Sequence, residues 1–498
     1  MSPLDRRRFV AVTAAAALTP NLRAFAQTTA TAKLTLHNDQ PGPIVPEDFI
    51  GLSYEIQQLS DPTFFAPSNH GLIAQFRALA PHGVLRLGGN TSDVGWWKPT
   101  PDAKQPPLPP NVILRTPPGE QSPMALSYAV TPEAVRNLRG FLDATGWNTL
   151  FGINLGTSTP QRAAEEAVFV AKTLGQRLEF FQVGNEPDGF SRRFRDKATW
   201  TADRYFDEWL ASANAIRASV PGAKFGLPDT AGNPHWSTVI ADRIAALPER
   251  DRPNVAAVTH HYYFTGPPSN PKATLDNLLK TDPRVSKVAE TTREAATKVG
   301  AKYRMTEGNS CYRGGKPGFS DVFGAALWTA DYALSLASFG YSGINLHGGG
   351  GKAVADSLGG TLPGEALMPD PKAPHPRPFY TPVADMDGKY VAEPVYFGLQ
   401  FVQHFAGATI IPVDFDPGPV NATAYAAKLP NGRSLFAIIN KDATQSTEIT
   451  LPGRGKGTLY RLTAPTLTAH EAHLSNGERT KGGTLNVPAA SAILFIID

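Results

Sequence analysis

The sequence predicts a (β/α)8 TIM barrel with a C-terminal β-sandwich, and three features carry that expectation. Eight short apolar runs recur between residues 46 and 350. Most of the intervals between them carry helical patterns. From residue 409 onward the helical period is lost, and short strand-like runs separated by turn residues take over. Strand–helix alternation repeated about eight times is the pattern of a parallel barrel wrapped in helices. A doubly wound open sheet also alternates, but no glycine-rich dinucleotide turn follows the first run. The chain has 498 residues. One domain usually takes about 100–200, so a large barrel and a second unit both fit.

Residues 1–26 read as a targeting segment. Arg6 and Arg7 precede Phe9 and Val10, a modest apolar stretch follows, and Ala24-Phe25-Ala26 forms a small-x-small cleavage pattern. The paired arginines resemble a twin-arginine export signal, so a periplasmic or secreted location is expected. The apolar stretch is too short to span a bilayer, which needs roughly 20 residues. No other stretch is long and apolar enough for a membrane span. Residues 27–45 follow as an N-terminal strand segment. The run 33–36 has strand character and is expected to join the sandwich.

The barrel is assigned to residues 46–407. Its eight runs are 49–56, 83–88, 149–155, 178–183, 224–227, 256–264, 303–306 and 343–346. Thr131-Pro132 supplies a cap and a first-turn proline for the helix after the second run. Val135, Leu138 and Leu142 then share a face, and Gly146 ends the helix. Tyr205, Trp209, Ala213 and Ile216 form another apolar stripe after Thr201. Residues 327–339 and 394–405 read as further helices. The sandwich is assigned to 408–498, with strands at 423–427, 434–439 and 491–497 and a turn at Pro430-Asn431-Gly432.

Two long loops interrupt this scheme. Residues 99–123 contain nine prolines and residues 363–382 contain seven. They follow the second and eighth strands, so in a barrel both lie on the C-terminal face, where active sites of this fold sit. Loops longer than about 12–15 residues are usually functional or disordered.

Composition excludes several classes. The formal charge is +3. The first 26 residues hold four arginines and one aspartate, so the rest carries 43 basic and 43 acidic residues. A nucleic-acid partner is therefore not expected. The one cysteine, Cys311, excludes an intramolecular disulfide and a multi-cysteine zinc site. His260 and His261 are adjacent and face opposite ways on a strand, which makes a shared metal site a poor prospect. His347-Gly348-Gly349-Gly350 is reminiscent of an esterase oxyanion turn, but no Gly-x-Ser-x-Gly elbow occurs. No phosphate loop is present either. Neither a metal nor a cofactor is expected.

Polar residues gather at one end of nearly every run. The first ends in Tyr54-Glu55, the second in Arg86-Leu87-Gly88-Gly89-Asn90 and the third in Asn154. The fourth ends in Asn185-Glu186-Pro187, the sixth in His260-His261-Tyr262-Tyr263, the seventh in Glu307-Gly308-Asn309 and the eighth in His347. Together they describe a polar cup over an apolar barrel. Glu186 and Glu307 are far apart in sequence, yet a barrel brings both to one mouth. Glycoside cleavage needs such a pair: one carboxylic acid donates to the leaving oxygen, and the other carboxylate attacks the anomeric carbon.

The Asn-Glu-Pro on the fourth strand and the glutamate on the seventh resemble the clan A glycoside hydrolases. More closely, the chain resembles glycoside hydrolase family 79, the β-glucuronidase and heparanase group. Three segments carry that likeness: His260-His261-Tyr262-Tyr263, Leu85 through Asn90, and Glu307 through Gly315 (EGNSCYRGG). The resemblance implies Glu186 as general acid/base and Glu307 as nucleophile. It implies Asn185 on the sugar 2-hydroxyl, Tyr262 or Tyr263 holding the nucleophile, and Glu55 and Asn90 on other hydroxyls. Tyr312 and the backbone N–H of Gly314 would receive the uronate carboxylate, as a glycine-rich turn can. His347 is a pocket wall, a substrate contact or a structural residue. Arg313 and Asn90 differ from heparanase itself. Arg313 adds a cation beside the carboxylate or is a solvated surface residue, and the Arg192–Arg195 cluster attracts an acidic glycan or is a solvated loop. Trp96 or Trp97 could line a subsite, and core packing is expected of at least one of them.

The expectation is a retaining exo-β-glucuronidase acting on a glucuronic-acid-containing glycan or glycoside, with its carboxyl groups about 5–5.5 Å apart. Alternatives are another clan A hydrolase such as an arabinofuranosidase or glucosidase, an endo-acting heparanase-like enzyme, and a non-catalytic glycan-binding protein.

Overall fold

The computed structural model describes residues 30–452 and 455–498. The targeting segment expected at 1–26 lies outside them. No helix among the described residues is long and apolar enough to cross a membrane.

Eight parallel strands close into a barrel: β1 Ile50–Glu55, β2 Val84–Gly88, β3 Asn148–Ile153, β4 Leu178–Val183, β5 Lys224–Thr230, β6 Asn254–Thr265, β7 Lys302–Cys311 and β8 Ile344–Gly348. β8 pairs back onto β1, Ile344 opposite Ile50. Each strand is followed by a helix of the outer layer: α1 His70–Leu79, α2 Pro132–Thr145, α3 Pro160–Leu174, α4 Ala202–Ser219, α5 His235–Ala246, α6 Pro283–Val299, α7 Phe323–Ser338 and α8 Pro394–Gln403. Both faces of such a sheet are covered, which is why the strands read as apolar runs. Leu72, Phe76, Leu138, Phe141, Trp147 and Trp209 are buried in the layer between strands and helices.

Local chemistry sets the helix ends. Thr131 Oγ1 accepts the Ala134 N–H at 3.3 Å, Pro132 opens the first turn, and Gly146 at φ +81° closes α2 in the left-handed region. Thr159 and Thr201 cap α3 and α4 in the same way. α7 is buried on nearly all sides, because it lies between the barrel and the C-terminal domain; a helix apolar all round is a buried helix.

Two strands extend beyond their apolar runs. β5 continues to Thr230 and β7 to Cys311, where apolar character ends near 227 and 306. The extensions carry Asp229, Glu307 and Asn309, all buried. Each is paired inside the barrel, so the strand continues where hydrophobicity stops. Cys311 ends β7 as a buried free thiol, and burial pushes it up to about 12.

The C-terminal domain is a sandwich of two sheets. One runs Thr409–Ile411, Ala422–Lys428, Ser434–Asn440, Ser491–Ile497, Lys456–Thr463 and His473–Leu474, with Glu478–Lys481 also paired to Lys456–Thr463. The other runs Val413–Asp416, Ala30–Leu36, Thr447–Thr450 and Thr484–Val487. The N-terminal strand Ala30–Leu36 is antiparallel to Val413–Asp416 and parallel to Thr447–Thr450. Phe436, Ile438, Ile449, Val487, Ile493 and Phe495 fill the space between the sheets. A buried ion pair joins the sandwich to α7: Lys441 Nζ meets Asp331 Oδ2 at 2.5 Å. Thr423 Oγ1 and Tyr425 OH each donate to Asp331 Oδ1 at 2.6 Å.

Candidate active site

The C-terminal ends of the strands open onto a cavity of about 690 Å3. Glu55, Asn90, Asn185, Glu186, Tyr263, Glu307, Tyr312 and His347 all line it. Both proline-rich loops reach its wall, the first through Pro117 and Glu120 and the second through Tyr380.

Glu307 lies within β7 at a register shift. Pairing with β6 slips between Met305 and Glu307. Such bulges re-aim a side chain at an active site. Four groups surround its carboxylate. Arg86 Nη1 donates to Oε2 at 2.5 Å, Tyr263 OH donates to Oε1 at 2.9 Å, and His347 Nδ1 and His261 Nδ1 lie 3.9 Å from Oε2 and Oε1. Burial alone would raise this carboxyl. His347, His261 and Arg86, together with the Tyr263 hydrogen bond, outweigh it and hold the group at about 2. An ionised carboxylate fixed in this way suits nucleophilic attack.

Glu186 follows β4 in the left-handed region, at φ +47° and ψ +52°. A non-glycine residue there is uncommon and needs support from its surroundings. Its N–H donates to the Asp229 carbonyl at 3.0 Å, and its carbonyl accepts the Gly189 N–H at 2.8 Å. Asn185 just before it donates its N–H to Asp93 Oδ2 at 3.0 Å. Asp93 also accepts the amides of Leu155 and Gly156. Burial raises Asp93 to about 6 against these hydrogen bonds. The Glu186 side chain is partly exposed to the cavity, and His261 Nδ1 lies 3.0 Å from its Oε1. One carboxylate oxygen each of Glu186 and Glu307, together with one His261 nitrogen, lie within 4.8 Å of one another.

Beneath the pair sits a buried charge cluster. Arg86 on β2 is 1% exposed and spends its whole fork on partners. Besides Glu307, Nη2 donates to Asp229 Oδ2 at 2.6 Å and to Asn185 Oδ1 at 2.7 Å, and Nε donates to Gln182 Oε1 at 3.1 Å. Burial opposes this charge, but Asp229 and Glu307 raise the guanidinium further. Asp229 also lies 3.3 Å from His261 Nε2 and accepts the Thr306 hydroxyl. Its burial opposes ionisation, and Arg86 and His261 drive it well below the usual carboxylate range. For His261, burial again opposes charge. Glu307, Asp229 and the hydrogen bonds to Asp229 and Glu186 overcome it and push the imidazolium up to about 10. Glu186, His261 and Glu307 converge as cation ligands do, with His261 Nε2 also 3.3 Å from Arg86 Nη2.

Glu55 accepts the Thr91 N–H at 2.9 Å and its hydroxyl at 2.7 Å, and His347 Nε2 lies 3.5 Å away. Ser53 fixes the other ring nitrogen of His347 at 2.9 Å. Tyr312 is 39% exposed, its ring edge-on to Tyr263 at 6.2 Å. Arg193 and Arg313 share one carboxylate: Arg193 Nη2 meets Glu120 Oε2 at 2.9 Å, and Arg313 donates to Oε1 at 3.2 Å. Arg192, Arg193 and Arg313 line the cavity. Arg195 does not. It is buried against Glu208 and the Leu155 and Gly156 carbonyls.

Two expected contacts are not brought to the cavity. Tyr262 faces away, because neighbours along a strand point to opposite sides. Its hydroxyl donates to Asp282 Oδ2 at 2.6 Å and its ring stacks on Tyr332 at 4.7 Å. Of the two tyrosines, Tyr263 holds Glu307. Gly314, at φ +87°, turns the chain beside Leu362 and gives its carbonyl to the Phe379 N–H; it does not line the cavity. Arg86, Asp229 and His261 are the additions. A single arginine inside the apolar Val84–Gly88 run was a signal, since a charge in a closed barrel must be paired. Asp229 gave none, lying past the apolar run.

No family model matches the chain. It is similar to a β-glucuronidase of Aspergillus niger, 28% identical over 312 residues, which is 58% of this chain and 55% of that one. It is also similar to a β-glucuronidase of Neurospora crassa, 25% identical over 352 residues, 64% of this chain and 60% of that one. The match thus spans little more than half the length of these curated relatives. Among solved structures, a 4-O-α-L-rhamnosyl-β-D-glucuronidase from Fusarium oxysporum 12S superposes with a TM-score of 0.69 at 17% identity, over 93% of this chain and all of that one. A family 51 arabinofuranosidase from Xanthomonas axonopodis pv. citri superposes with a TM-score of 0.63 at 17% identity, over 94% of this chain and all of that one. These likenesses establish the fold: a (β/α)8 barrel with a β-sandwich domain.

Proposed function

We propose that the chain is a glycoside hydrolase, a retaining exo-β-glucuronidase of the family 79 type. The observation that carries this reading is the carboxyl pair. A retaining pair stands about 5–5.5 Å apart and an inverting pair about 6.5–9.5 Å. One oxygen of Glu186 lies within 4.8 Å of one of Glu307, so the two carboxyl groups flank a single small site as the double-displacement reading needs. Glu307, ionised and held by Arg86 and Tyr263, attacks the anomeric carbon and forms a glycosyl ester. Glu186 gives its proton to the leaving oxygen, then takes one from the water that releases the sugar. His261 orients the Glu186 carboxyl, and Asn185 offers its amide toward the sugar. The curated relatives are named β-glucuronidase, which supports the uronate specificity. So does the cavity wall, where Arg193 and Arg313 face the single Glu120 carboxylate and leave one positive charge in excess. Charge-assisted bonds from such a wall, with Tyr312 beside it, suit a uronate carboxylate. The loop residues Pro117, Glu120 and Tyr380 close the sides of the cavity and favour removal of a terminal residue.

The test is turnover of nitrophenyl β-glucuronide beside nitrophenyl β-glucoside, with Glu307→Gln and Glu186→Gln as controls. Glucuronide turnover abolished by Glu307→Gln, with β-glucuronic acid as the first product by NMR, is expected. A first product of α configuration overturns retention. Preference for the glucoside overturns the uronate assignment and leaves the carboxyl pair.

A further inference from the structure

The turn leaving β2 separates two cavities. Asn90 and Asp93 line the catalytic one, whereas Val94, Gly95, Trp96 and Trp97 line a second of about 290 Å3. The second lies between the first proline-rich loop and the start of α3. Trp97 sets its ring on Phe169 at 5.1 Å. Trp96 is half-buried and has no aromatic ring neighbour among the described residues. From α3, Glu166 lines the same cavity. It is 8% exposed, with no hydrogen-bond or ion-pair partner among the described residues. Burial alone pushes its carboxyl up to about 8. Its carboxyl faces the cavity, where a group from outside the chain can reach it.

We propose that this cavity is a second carbohydrate site, which takes one or two neutral pyranose residues with Trp96 as the stacking platform and Glu166 as a hydroxyl partner. Its volume is at the small end of ligand pockets, about 300–1,000 Å3. An indole offers a flat apolar face with a polar edge, the match for a sugar with apolar C–H and polar O–H faces. Recognition here rests on the stacking face and the hydroxyl partner rather than on charge: Lys104, Arg162 and Glu165 line the cavity with Glu166, whose carboxyl burial raises. The catalytic cavity differs, with Arg192, Arg193 and Arg313 on one wall. Arg162 also donates to the Pro107 carbonyl at 2.9 Å, which ties the loop to α3 and fixes the cavity wall. A glycan placing its reacting residue in the first cavity would meet the second on the same face of the barrel.

The test is read by binding, so it stands whichever glycosidic bond the carboxyl pair cuts. Cellohexaose, xylohexaose and an oligogalacturonate are titrated into the Glu307→Gln protein by calorimetry, with and without Trp96→Ala or Glu166→Gln. Melting by circular dichroism reports folding of each variant. The expected result is binding of a neutral hexasaccharide, weakened roughly tenfold or more by Trp96→Ala and about two- to tenfold by the isosteric Glu166→Gln. Failure of both neutral hexasaccharides to bind overturns the proposal, as does binding untouched by either variant. Binding of the oligogalacturonate alone overturns the neutral assignment.

Discussion

Asp229→Asn tests the buried charge cluster most directly. The substitution keeps the shape and removes one charge. That charge sits 2.6 Å from Arg86 Nη2 and 3.3 Å from His261 Nε2. An opposite charge this close moves a pKa by about 1–3 units. His261 would therefore fall from about 10 to roughly 7–9. At about 1.4 kcal/mol per unit, the imidazolium loses roughly 1.4–4 kcal/mol. Removing one partner of a buried pair costs about 3–5 kcal/mol by itself, a compatible figure. The sign follows from the direction of the shift. His261 is raised above its ordinary value, so its stabilisation is full below about pH 6.5 and lost as pH climbs through about 10. The variant therefore loses this stabilisation at lower pH than the wild type. The assay is thermal unfolding from pH 4 to 10, with the His261 ring titrated by NMR over the same range. The His261 titration should move down by about 1–3 units, with a lower Tm at pH 7. An unchanged His261 titration in a folded variant would refute the assignment of His261⁺ as the group held by Asp229.

Three further outcomes are expected. Arg86→Lys loses the fork that holds Glu307, Asp229 and Asn185 together; kcat should fall about 10²–10³-fold, as when one preorganised donor is lost, and the acid limb should move up because Glu307, now at about 2, is no longer held down. Steady-state kinetics against pH reads both. Tyr263→Phe removes a hydrogen bond to a charged group, about 1.5–3 kcal/mol, which is roughly a 10–150-fold loss in kcat; Tyr262→Phe should leave kcat unchanged and cost only stability, since its hydroxyl serves Asp282. Asp331→Asn breaks the ion pair between α7 and the sandwich and should destabilise the protein by about 3–5 kcal/mol in denaturant unfolding. Asp331 is held low by Lys441 against burial, so its contribution is present above about pH 4 and lost as pH falls further.

The parts of this molecule that follow short-range rules were legible in the sequence. Thr131-Pro132 and Gly146 mark α2 because caps and left-handed turns are local matters. Glu186 and Glu307 were legible because each ends or interrupts an apolar run, and a closed barrel has one place to put such residues. The cluster beneath them was not. Arg86, Asp229 and His261 come from β2, β5 and β6, and their pairing depends on side chains meeting across the barrel. A strand boundary read from apolar character stops at 227, two residues short of Asp229. The choice between Tyr262 and Tyr263 needed the register of β6, because one residue of slip reverses every face.

That cluster bears on the different roles proposed for two glutamates at one mouth. His347, His261 and Arg86 press positive charge on Glu307 and hold its carboxyl low against burial, while Glu186 opens to the cavity. In the double displacement proposed above, Glu307 is the carboxylate while Glu186 holds its proton. When Glu307 becomes an uncharged ester, Glu186 has just given that proton away and carries the charge instead. The pair then keeps one negative charge at both ends of the glycosylation step. A covalent 2-fluoroglycosyl adduct on Glu307 should then show an ionised Glu186 at pH 7, read by infrared difference spectra as a carboxylate band missing from Glu186→Gln. A protonated Glu186 in that adduct would show that the pair does not keep its negative charge.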